Sequence, residues 1–88
     1  MPLEHTLDVP DVFRPYSPAQ LTRMVQTMAA LAALGGTSRQ VSPLDIARRV
    51  SIPEPVAKEA LENLVSCGFA VHHRTDGRPD LNAYRIYA

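Results

Sequence analysis

Apolar residues recur at helical spacing from Leu21 onward: Leu21, Met24, Val25, Met28, Leu31 and Ala32. This three-or-four-residue rhythm predicts an amphipathic helix. Its start is marked by Ser17-Pro18-Ala19-Gln20, a capping box with serine at the N-cap, proline at the first helical position and glutamine reaching back. Tyr16 and Leu21 are placed to staple the entry, and Gly35-Gly36 ends the helix, because glycine adopts the left-handed C-terminal conformation at little cost. The same start signal recurs at Ser42-Pro43-Leu44-Asp45, with Val41 and Ile46 as the staple pair, and predicts a short helix ending near Val50 or Ser51. Pro53-Glu54-Pro55 fits only a first turn, where backbone N–H groups have no helical partner. A third helix follows, with Val56, Ala57, Ala60, Leu61 and Leu64 as its apolar stripe, and Gly68 stops it.

Beyond Gly68 the period changes to two. Phe69 and Val71 alternate with Ala70 and His72, and Tyr84 and Ile86 alternate with Arg85 and Tyr87. Asp76-Gly77 between these runs is a tight-turn signal, so the chain is expected to close in a β-hairpin. Ahead of the first helix, Pro2, Pro10 and Pro15 favour extended backbone. The expected organisation is an extended arm over 1–16 and one domain over 17–88. Its class is α+β, mainly α: three helices and a C-terminal hairpin. The arm reads either as a frayed tail or as a strap over the domain or a partner subunit.

Residues 41–88 in this order resemble the core of the winged helix-turn-helix superfamily, in the broad style of the MarR, ArsR and Lrp-like regulators. Asp45-Ile46-Ala47 falls in the first helix of the motif, Ser51-Ile52 in its turn, and Ala60-Leu61 with Leu64 in the recognition helix. Cys67-Gly68-Phe69 matches the junction into the wing, Asp76-Gly77 the wing tip, and Tyr84-Arg85-Ile86 the returning strand. The resemblance implies a small transcriptional regulator that binds double-stranded DNA, its third helix entering the major groove and its second crossing the backbone. Winged helices also serve as docking modules, so a protein–protein module, or a small subunit of a larger complex, is the alternative.

Charge decides how far the DNA reading carries. The 88 residues hold nine basic and nine acidic side chains, a formal net charge of zero, whereas DNA binders are usually basic. The third helix departs from the pattern the resemblance implies. Its positions for groove contact are Glu54, Pro55, Lys58, Glu59 and Glu62, of which only Lys58 attracts phosphate, although a glutamate can accept from cytosine N4. Those glutamates also read as an ordinary solvated face. Arginines lie on the second helix (Arg48, Arg49) and on the hairpin (Arg74, Arg78, with Arg85 nearby). Arg48, Arg49, Lys58, Arg74 and Arg78 are therefore the expected DNA contacts, forming a discontinuous basic surface around the third helix.

Met28-Ala29-Ala30-Leu31-Ala32-Ala33-Leu34 is apolar on every side. A helix with no polar face needs cover beyond its own core, so Met28, Leu31 and Leu34 are the expected contacts of a homodimer. Other chemistry is sparse. Cys67 is the only cysteine, which precludes an internal disulfide and suits a reducing cytoplasm; it reads as a small, partly buried residue at the helix–wing junction. His72 and His73 adjoin on a strand and face opposite ways, so no metal site is expected. No nucleophile–base arrangement or phosphate loop occurs, and neither enzymatic activity nor a cofactor is expected. The first five residues lack the marks of a signal peptide, and the longest apolar run is too short to cross a bilayer.

Overall fold

A computed structural model describes residues 13–87. Three helices, α1 (Pro18–Leu34), α2 (Pro43–Val50) and α3 (Glu54–Ser66), precede an antiparallel hairpin of β1 (Ala70–Thr75) and β2 (Arg78–Ile86). This is the α+β, mainly helical, winged-helix layout expected from the sequence. The expected arm lies outside the described residues up to position 12. Its foot is a turn rather than extended chain, closed by the Tyr16 amide donating to the Phe13 carbonyl at 3.1 Å.

Both capping boxes form. Ser17 Oγ accepts from the Gln20 amide while Gln20 Oε1 accepts from the Ser17 amide, and Ser42 and Asp45 repeat the exchange. Each box satisfies two otherwise orphaned donors. The turn from α2 to α3 is made by Ser51 in the left-handed region (φ 56°), with the Ile52 amide returning to the Ala47 carbonyl. Gly35 matters for a different reason: a Cβ there would lie 2.7 Å from the Arg39 carbonyl and 2.8 Å from a Val41 methyl. Only glycine lets the chain double back so tightly between α1 and α2.

The core is the meeting point of the three helices and the hairpin. Leu31, Ile46, Ala57, Leu61 and Tyr84 are fully buried there. On the hairpin, Ala70 and Tyr84 turn inward, Ile86 packs against the core edge, and Tyr87 faces out. The register pairs Ala70 with Ile86 and His72 with Tyr84, then slips between His72 and Arg74. At the tip, Asp76 and Gly77 both have positive φ (53° and 77°), as a type I′ turn requires. One pairing lies outside the hairpin: Val41 and Tyr84 exchange both backbone hydrogen bonds, at 2.9 and 2.8 Å. This bridge fastens the segment entering α2 to the edge of β2.

Within α1, burial selects Met24, Thr27, Ala30 and Leu31. Thr27 is fully buried and its hydroxyl has no hydrogen-bond partner among the described residues. A buried hydroxyl without a hydrogen bond costs about 1–3 kcal/mol. Thr27→Val should therefore raise unfolding free energy in urea by about 1 kcal/mol, whereas Ile46→Ala should lower it by about 2–5 kcal/mol; a destabilised Thr27→Val variant would show that the hydroxyl is satisfied.

Candidate nucleic-acid interface

The face of α3 that the sequence marks for groove contact is acidic. Glu54, Pro55 and Glu59 are exposed, and Lys58 and Glu62 are half-buried. Pro53 occupies the N-cap and offers no side-chain cap. The positive end of the helix therefore faces Glu54, the acidic residue of its first turn.

Lys58 is committed elsewhere. Its ammonium donates to the Leu81 carbonyl at the base of the wing, lies 3.8 Å from the Glu62 carboxylate, and sits 5.1 Å from the centroid of the Tyr84 ring. Glu62 is the hub of this cluster. It accepts from the Tyr84 hydroxyl and lies 3.2 Å from His72 Nε2. The other ring nitrogen of His72 is 3.2 Å from the Asp80 carbonyl. The expected DNA contact Lys58 thus joins helix to hairpin, with its positive charge opposed by the Glu62 carboxylate beside it.

The remaining four expected contacts are placed differently. Arg48 and Arg49 are exposed in the last turn of α2, where a cation also complements the negative helix end. Arg74 and Arg78 are exposed on either side of the wing turn, with Thr75 facing Arg78 in the ladder. Arg74 donates to the Gly77 carbonyl across that turn. Among the described residues none of these four guanidinium groups makes an ion pair. Arg85, by contrast, is half-buried on the outer face of the hairpin, with Val71 opposite it.

Of the expected dimer contacts, Leu31 requires correction. It is fully buried in the chain's own core and cannot reach a second subunit. Leu34 is partly buried against that core, and Met28 lines an open apolar groove beside α1. The exposed residues of α1 that line this groove are Val25, Ala29 and Ala32, with Phe69 across it. Sequence spacing did not separate these from Leu31, since both sets share the helical period.

Cys67 is partly buried against the core, and its side chain meets the Tyr16 hydroxyl, which pushes the phenol above its ordinary value. Among the described residues no group of three His, Cys, Asp or Glu side chains could hold a metal ion, and no helix is long and apolar enough to cross a membrane. Comparison with protein-family models, with curated proteins and with solved structures gave no match.

The Tyr84 phenol is held well above its ordinary value, first by burial and then by its hydrogen bond and proximity to the Glu62 carboxylate. The folded state therefore keeps the proton that the unfolded chain releases above about pH 10. Stability conferred by this phenol is complete below that pH and is lost as pH rises further. Denaturation curves should show a fall in stability above about pH 10 that is shallower in Tyr84→Phe, where only the raised Tyr16 phenol still contributes to it, and at neutral pH the variant should be weaker by about 1 kcal/mol. Parallel alkaline profiles for the two proteins would contradict this assignment.

Proposed function

We propose that the chain is a DNA-binding domain of the winged-helix type that holds the phosphate backbone through Arg74 and Arg78 on the wing and Arg48 and Arg49 at the end of α2, acting as a small transcriptional regulator. The observation that carries this reading is that those four guanidinium groups are exposed and make no ion pair among the described residues. The Glu62 carboxylate on α3 is already engaged by Lys58, His72 and Tyr84. Arginine suits this task because its planar fork matches phosphate geometry and keeps its charge. The acidic face of α3 argues for a grip on the backbone and on groove shape, with little base reading from the helix itself. A reducing, cytoplasmic setting suits the lone thiol of Cys67.

The second reading, a protein-docking module, is favoured by the apolar groove along α1. The two readings use different surfaces and separate in one titration. Fluorescence anisotropy with a labelled duplex should show binding whose logarithmic affinity falls with logarithmic salt at a slope of about −3 to −4, one phosphate for each of four arginines. Arg74→Ala combined with Arg78→Ala should reduce the magnitude of that slope by about 2 without altering the melting temperature. An absence of binding at low salt, or a slope unchanged in the double variant, would refute the proposal.

A further inference from the structure

Arg85 is a half-buried cation on the outer face of the hairpin that makes no ion pair among the described residues. Its guanidinium donates to the Ile86 carbonyl at 3.5 Å, the long limit for a hydrogen bond. A guanidinium partly removed from water attracts an anion more strongly than an exposed one does, because solvent screens it less.

Arg85 lines an open groove of about 380 Å³ together with Arg74. Strict alternation would turn Arg74, three residues beyond Val71, to the opposite face of β1. The ladder slips in register between His72 and Arg74, and Val71 and Arg74 line the groove together. Val65, Pro79 and Tyr87 supply the rest of an apolar strip, with Tyr87 63% exposed. Among the described residues no acidic side chain lines the groove. Two like charges in one groove repel, and an anion placed there relieves the repulsion.

We propose that this groove holds the sugar–phosphate backbone of a DNA strand, with Arg85 as a further phosphate contact beside Arg48, Arg49, Arg74 and Arg78. This role rests on the DNA-binding reading and extends its surface from the wing tip along the outer face of the hairpin. A DNA strand alternates anionic phosphates with deoxyribose rings whose carbon face is apolar, and so matches guanidinium groups set beside Val71, Pro79 and Tyr87. A bare inorganic anion would leave that apolar strip uncovered. Arg74 makes the groove continuous with the proposed contact at the hairpin turn, since Arg74 pairs with Pro79 and Thr75 with Arg78. Partial burial also restricts the Arg85 stem, so less side-chain entropy is lost on holding a phosphate than at an exposed arginine.

The test is duplex binding by fluorescence anisotropy across a salt series, for the full chain, Arg85→Gln, Arg85→Lys and, as a control on net charge, Arg23→Gln on α1. Arg85→Gln should weaken binding about tenfold near 0.1 M salt and reduce the magnitude of the salt slope by about 0.9. Arg85→Lys should keep the wild-type slope because it keeps the charge, and Arg23→Gln should match the wild type. Melting curves by circular dichroism should be unchanged, since glutamine retains most of the arginine stem. In the wild type, the NMR signal of Arg85 Nε–H should move as duplex is added. A wild type that binds duplex while Arg85→Gln keeps its full slope would overturn this contact and leave the four-arginine reading standing. An equal loss in Arg23→Gln would overturn it too, by tracing the effect to net charge. An Arg85 signal that moves with inorganic phosphate but stays fixed with duplex would make the ligand a free anion instead. A wild type that binds no duplex at low salt would sink both readings together.

Discussion

The burial of Tyr84 is the constraint on which the rest of the structure depends. Its ring is fully inside the core, its backbone exchanges two hydrogen bonds with Val41, and its hydroxyl reaches Glu62 on α3. One residue therefore fixes the hairpin to the entry of α2 and to the face of α3 together. A two-stranded hairpin is marginal on its own in water. Here it gains order from this anchor, helped by Ala70 beneath it and by Lys58 bonding to the Leu81 carbonyl. The position of Arg74 and Arg78 relative to the helices follows from that attachment.

The same anchor explains why α3 carries so little positive charge. A phenol taken out of water needs an acceptor for its proton, and Glu62 provides it. The carboxylate in turn draws Lys58 and His72 toward the wing base. The sole lysine of the chain thereby becomes part of the frame. Arg48 and Arg49 sit at the end of α2, where the helix dipole favours them, and Arg74 and Arg78 flank the hairpin turn.

Local signals in the sequence marked the elements well. Ser17 and Ser42 cap the helices they were expected to cap, and Asp76-Gly77 makes the turn. What depends on distant partners was not legible. The Val41–Tyr84 bridge joins residues far apart in sequence, and the ladder slips in register between His72 and Arg74 where the alternation of residues carries no mark of it. β2 extends back to Arg78, which pairs with Thr75 beside the turn. Along α1, the apolar residues run around the helix, so the period alone leaves open which side faces inward; packing against α2 and α3 buries Leu31 and leaves Val25 outside. The role of Lys58 was hidden for the same reason: a lone lysine on a helix reads as a phosphate ligand until its partners across the fold are seen.

The arginine surface and the α1 groove are separate faces of one small body, and the most direct measurement resolves them side by side. In a titration of isotope-labelled protein with a short duplex, NMR should show the side-chain Nε–H signals of Arg48, Arg49, Arg74 and Arg78 moving together, with the Val25 and Ala29 amides unperturbed. Arginine signals that stay fixed while duplex is added to excess would contradict the account.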